Sequence, residues 1–182
     1  MKHLLYLAIA FTLISCISKN NQSEGENNHD QVQKNPEERI AELEAIVYSD
    51  TALILDIPIA LELAGLYSHK AKENPTDTTS ADLLFKAGEL YMNSKHGNKA
   101  IAEFKEVHAR FPGSKRSSIA RFLKGFVAET VLEDQELAKR FYQEFLTAHP
   151  DHDFSDDAQM SIDMLGMSDA ELLERLKGRA ES

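Results

Sequence analysis

The chain opens with a short basic start, Met1-Lys2-His3, and then an apolar run from Leu4 to Ile14. A helix needs about 20 apolar residues to cross a bilayer, so this run is too short and reads as the hydrophobic part of a signal peptide over residues 1–15. Residues 17–34 hold Asn20-Asn21-Gln22-Ser23, Asn27-Asn28 and several charges, with almost nothing to bury; this is the composition of a flexible tether. From Asn35 onward, apolar residues recur at helical spacing, and no alternating stretch is long enough for a sheet. The pattern predicts helices at about 37–50, 57–74, 80–95, 97–111, 116–132, 134–149, 155–165 and 168–178.

The breaks between these helices have chemical causes. Asn35-Pro36-Glu37-Glu38 places a capping side chain, a proline and an acid where the first helix has orphan N–H groups. Asn74-Pro75, Phe111-Pro112-Gly113 and His149-Pro150 end helices, because the residue before proline avoids the α region. Gly97 separates one hairpin, Asp134 can cap the helix that follows it, and Gly166 suits a left-handed helix end. Ser168 with Glu171 forms a capping box.

The same spacing also repeats along the chain. Leu63, Tyr67 and Pro75 match Ala100, Phe104 and Pro112, and these match Ala138, Tyr142 and Pro150. The middle copy is the fullest: Leu84, Ala87, Gly88 and Tyr91 precede its Ala100, Phe104 and Pro112. Gly88 and Ala100 are small enough to let two antiparallel helices approach, while Tyr91 and Phe104 fill the space around that contact. In the third copy, Phe122, Gly125, Phe126 and Glu129 stand against Leu84, Ala87, Gly88 and Tyr91. These residues resemble the tetratricopeptide (TPR) repeat, whose period is about 34 residues. The resemblance implies an all-α fold, a short right-handed solenoid of antiparallel helix hairpins with C-terminal capping helices. It places repeats at about 37–75, 81–112 and 119–150 within a domain over 35–182, and a cap at 155–178. Ala158, Ile162 and Leu165 are expected to cover the last hairpin.

The signal segment ends in Leu13-Ile14-Ser15-Cys16, which resembles the lipobox of bacterial lipoproteins. That resemblance implies cleavage before Cys16, lipidation of its thiol, and a lipid-anchored tether over 16–34. Taken together, lipobox and repeats are similar to the small TPR lipoproteins of the bacterial envelope. In style they are closest to the lipoprotein subunit of the outer-membrane β-barrel assembly machinery (the BamD type). This implies a membrane-anchored scaffold, on the outer membrane facing the periplasm, that binds protein partners of the envelope. The groove positions of the family fall here on Tyr48, Phe85, Glu89, Met92, Leu123, Val127 and Thr130. An apolar groove of this kind suits an amphipathic or extended peptide; the alternative is that a stack so short closes over these residues as core.

Charge and chemistry narrow the function further. A net charge of −10, with no basic run longer than Lys115-Arg116, argues against a nucleic-acid partner. No phosphate loop, nucleophile elbow or His-Glu-x-x-His motif occurs, and the one cysteine is assigned to lipid, so neither an enzyme nor a cofactor is expected. An envelope hydrolase is the weakest alternative. The cluster His149, Asp151, His152, Asp153, Asp156 and Asp157 has the donors for a divalent metal, but it surrounds Pro150, where a solvated turn is expected. No metal site is expected there, and a ligand-binding or metal-binding lipoprotein remains the alternative. His69, His96 and His108 are expected near helix ends or on exposed faces, and Glu103 and Glu106 on an ordinary helix surface.

Overall fold

Asn35 begins the folded chain: its side chain accepts a hydrogen bond from the Glu37 N–H at 3.1 Å, and Pro36 takes the first helical position. The computed structural model describes residues 35–49 and 54–180, so the signal segment, Cys16 and the tether lie outside the described residues. Those described form part of one compact unit, Lys34–Ser182. Among them are eight helices and no strand: α1 Pro36–Val47, α2 Ile57–Glu73, α3 Thr79–Asn93, α4 Gly97–Arg110, α5 Lys115–Thr130, α6 Gln135–Ala148, α7 Ser155–Met164 and α8 Asp169–Ala180. None is long and apolar enough to cross a membrane.

Each helix from α1 to α6 packs on the next, and α3 also packs on α5, an arrangement consistent with a helical repeat. The contacts within α3/α4 run in opposite directions along the two helices. Lys99 stacks over the Tyr91 ring at 5.2 Å near the turn, and Phe104 lies against Phe85 at 5.6 Å further away. In α5/α6 the Tyr142 hydroxyl donates to Glu129 near the turn, while Phe122 meets Phe145 further away. Both pairs are therefore antiparallel.

Glycine permits these close approaches. A Cβ on Gly88 would lie 2.6 Å from Phe104 Cε1, and one on Gly125 would lie 2.5 Å from Tyr142 Cδ1. The geometric counterpart of Gly88 is therefore Gly125, one residue away from the expected pairing of Gly125 with Ala87. The difference arises at the end of the first helix of each pair. In α3/α4 the left-handed residue is Lys95, and the following His96 N–H closes back on the Tyr91 carbonyl at 2.8 Å. In α5/α6 the left-handed residue is Glu133, and Asp134 N–H reaches the Ala128 carbonyl at 2.9 Å, which is one residue further back. One extra residue is thus absorbed at the α5 end, and residues beyond it shift by one more. Gly97 stands between α3 and α4 as the first residue of α4, at the expected helix start, and packs under Leu132.

The predicted end signals form local bonds. Asp134 accepts from the Leu137 N–H at 2.9 Å, Gly166 has φ +80, and Ser168 and Glu171 bond reciprocally. Ala158 is buried, and Ile162 and Leu165 pack against the core, so α7 covers α6. Arg175 ties α8 to Asp163 of α7 at 2.7 Å.

Candidate functional site

Alternate helices α1, α3 and α5 are bridged by side chains. Lys86 on α3 lies 3.5 Å from Glu44 on α1, and Arg116 on α5 donates through Nε to Asp82 on α3 at 2.9 Å. The same cations rest on aromatic rings: Lys86 is 5.4 Å from the Tyr67 ring centre, and Arg116 is 4.6 Å from that of Phe85. A cleft of about 340 Å³ opens beside Arg116 between the starts of α3 and α5, lined also by Thr78, Asp82 and Ile119.

The expected groove residues divide on this frame. Phe85 and Val127 are buried among the core side chains, which corrects their reading as groove lining. Phe85 packs against Phe104 and lies under the Arg116 guanidinium, and Val127 is fully buried. Met92 and Leu123 pack partly against the same core and keep some exposure. Thr130 is exposed, but its hydroxyl is spent on the Phe126 carbonyl at 2.7 Å. Tyr48 remains 53% exposed, and Glu89 is half-buried. Burial raises the Glu89 carboxyl above its ordinary range, while Arg116 and Lys86 oppose that rise. Sequence reasoning missed Lys86, Asp82 and Arg116, and also Phe126, which is exposed near Leu123. The repeat residues Leu84, Ala87, Gly88, Tyr91, Ala100, Phe104, Ala138 and Tyr142 are buried, with Pro112 and Pro150 exposed in the turns.

Even-numbered helices are bridged too. Ser68 on α2 donates to Glu103 on α4 at 2.9 Å, and Arg110 caps the end of α2 through the Ala71 and Pro75 carbonyls. Glu103 is therefore not the ordinary surface acid expected; burial raises its carboxyl despite the Ser68 bond. His108 is a second correction. It is half-buried, its Nε2 is enclosed without a hydrogen-bond partner, and burial with nearby Lys124 and Arg121 brings its imidazole down to about 4. His69 is exposed beside Glu73, and His96 Nδ1 lies 2.7 Å from the Ser94 carbonyl.

In the turn around Pro150, the Phe154 N–H donates to His152 Nδ1 at 3.2 Å. That nitrogen is thus the acceptor, and Nε2 carries the proton toward Ser118 Oγ at 3.0 Å. The ring is wedged against Phe145 and Phe154. Both nitrogens are committed to protein partners, and among the described residues no group of three His, Cys, Asp or Glu could hold a metal.

A scan against protein-family models finds no match to this chain, and a search of curated proteins finds none.

Proposed function

We propose that the chain is a lipid-anchored, TPR-type scaffold of the bacterial envelope, gripping a segment of a protein partner on the face shared by α1, α3 and α5. In this reading Cys16 carries the lipid, the hairpins wind as a short right-handed solenoid, and the protein works at the outer membrane facing the periplasm, in the assembly of outer-membrane proteins. It assigns the chain no catalytic step and no cofactor.

The observation that supports it is the bridging of alternate helices by Lys86 and Arg116, which sets α1, α3 and α5 side by side. Their shared face interleaves charge (Lys86, Glu89, Arg116) with hydrocarbon (Tyr48, Met92, Leu123). Such a face offers anchors for an amphipathic segment and charges that set its register.

The test uses full-length protein in its native membranes, with a photo-crosslinking side chain placed at Tyr48, Met92 or Leu123, and for comparison at the exposed Lys105 or Lys139. Discrete protein adducts from the first set and none from the second are expected. Equal adducts from both sets, or none from either, would discard the docking face. Lipidation is tested separately: a palmitate analogue should label the wild type and not Cys16→Ala, and an unlabelled wild type removes the anchor.

A further inference from the structure

A second cleft, of about 530 Å³, lies between α5 and α6, away from the face just described; its walls include Arg121, Arg140, Gln143, Glu144 and Thr147. Its charge runs against that of the chain, which carries 30 acids to 20 Lys and Arg. The one acid in the wall, Glu144, accepts from Lys124 Nζ at 3.2 Å, and Lys124 is only 3% exposed. Glu144 is therefore already engaged from behind.

The two arginines of the wall differ from the other arginines among the described side chains. Arg39, Arg110, Arg116 and Arg175 each pair with a carboxylate. Arg121 and Arg140 make no ion pair among the described residues, although both open onto this one cleft. The Nε of Arg121 is enclosed and has no hydrogen-bond partner. Arg121 and the buried Lys124 repel one another, and the enclosed Arg121 N–H without an acceptor adds the cost of lost hydration, while Arg140 is exposed and rests over the Phe141 ring at 5.4 Å. The low imidazole of His108, held down by burial, Lys124 and Arg121, reports the same positive field. A chain rich in acids supplies one carboxylate here, Glu144 for Lys124, and among the described residues none for Arg121 or Arg140. Arrangements that cost stability without an internal partner are those expected at binding sites.

We propose that the α5/α6 cleft binds a multiply charged oxyanion, carboxylate or phosphate, through the guanidinium groups of Arg121 and Arg140, with the Gln143 amide as a neutral donor beside them. Guanidinium forks match the planar oxygens of such groups and add geometric fit to charge. The oxyanion has two sources with the same chemistry, a free small anion or the acidic side chains of a bound protein segment. Neither depends on the face proposed for α1, α3 and α5.

Calorimetric titration of the full-length protein in detergent micelles tests this, with citrate, inorganic phosphate and a hexaglutamate peptide as probes at low salt. Saturable binding of at least one probe is expected, weakened at least tenfold by Arg121→Gln and also weakened by Arg140→Gln. Tighter binding of citrate or phosphate marks a free anion as the occupant; tighter binding of the peptide marks a partner's acids. Arg121→Gln should also raise the thermal midpoint of the unliganded protein, since a partnerless cation is removed, so lost binding cannot be blamed on unfolding. If the midpoint falls instead, Arg140→Gln alone decides, by losing or keeping the binding. No saturable heat from any of the three probes, or binding that survives both substitutions, overturns the proposal.

Discussion

The α3/α4 and α5/α6 hairpins close by the same device and differ in what surrounds it. Each sets a glycine under an aromatic ring, Gly88 under Phe104 and Gly125 under Tyr142. The residue before the glycine is Ala87 in one and Lys124 in the other, and four residues before it stand Leu84 and Arg121. The first interior is apolar. The second encloses an ammonium group 4.5 Å from the Phe141 ring centre and bonded to Glu144. Helix approach is thus set by the glycine and the ring, which leaves the positions beside them free to carry either packing or charge. One hairpin is built for cohesion; the other accepts a less stable interior together with an unpaired cationic cleft.

The largest expected effect tests the shared device. Gly88→Ala and Gly125→Ala each drive a methyl group against three ring atoms closer than 3.0 Å, and both rings are fully buried. Overpacking of this kind should cost about 2–3 kcal/mol even after alanine's better helix propensity is counted. Gly65 is the control: it is exposed, and its nearest neighbour to a new Cβ is the Tyr91 hydroxyl at 4.0 Å, so Gly65→Ala should stabilise by about 0.5–1 kcal/mol. Urea unfolding of the three variants measures the split. Equal and small effects at all three would show that the ring contacts do not hold the hairpins.

The charged interior is broken next. Glu144→Gln leaves Lys124 enclosed without its carboxylate and should destabilise by about 1–2 kcal/mol, below the range for fully buried pairs because Glu144 is 48% exposed. Lys124→Met removes the buried charge and keeps the hydrocarbon, so it should be neutral or stabilising. Chemical denaturation at neutral pH compares them, and a loss from Lys124→Met as large as that from Glu144→Gln would mean the ion pair is a net support.

Acid titrates the same neighbourhood. The His108 imidazole lies at about 4 in the folded protein against an ordinary value of 6.5, and Lys124, Arg121 and Glu144 are the charged groups that act on it. Between those values the unfolded chain binds the extra proton, so His108's contribution to stability is present near neutrality and is lost as pH falls from 6.5 toward 4. Glu89 and Glu103, with raised carboxyls, act oppositely, since their contribution grows as pH falls. His108→Gln isolates the histidine: the stability lost between pH 7 and pH 4.5 should shrink by about 1 kcal/mol, after allowance for partial exposure. An unchanged pH profile would remove His108 from the acid response.

The helices were legible because periodicity and breakers agree. Pro75, Pro112 and Pro150 mark turns, and the acids and amides before the helix starts make the expected caps. The extra residue at the end of α5 was not legible. The left-handed positions are Lys95 and Glu133 rather than glycines, so no residue type signals where the ladder widens. Of the candidate face, Tyr48, Glu89, Met92 and Leu123 fall on positions that the TPR resemblance implies for a groove. Lys86 and Arg116 do not, because their places are fixed by Glu44 and Asp82, which are 42 and 34 residues away in sequence. Phe85 and Val127 have the periodicity of either a groove or a core residue, and only the neighbouring helices decide between them.

One legible signal went unread, and it supplies the smallest prediction. Ser80, Ser117 and Ser155 each stand five residues after a turn proline, Pro75, Pro112 and Pro150. Proline ends the preceding helix and leaves carbonyls at its last turn without amide partners. The Ser80 hydroxyl donates to the Asn74 carbonyl at 2.7 Å, and the Ser155 hydroxyl does the same for His149 at 2.8 Å. Ser80 and Ser155 therefore each clip the start of one helix to the end of the one before it, across the proline turn. Ser80→Ala and Ser155→Ala should each cost about 0.5–1.5 kcal/mol, the worth of one hydrogen bond. The larger loss is expected at Ser80, which is fully buried and leaves its acceptor with less access to water. Thermal melts of the two variants rank them, and a larger effect at Ser155 would mean that the turn into α7, rather than the turn into α3, depends more on its clip.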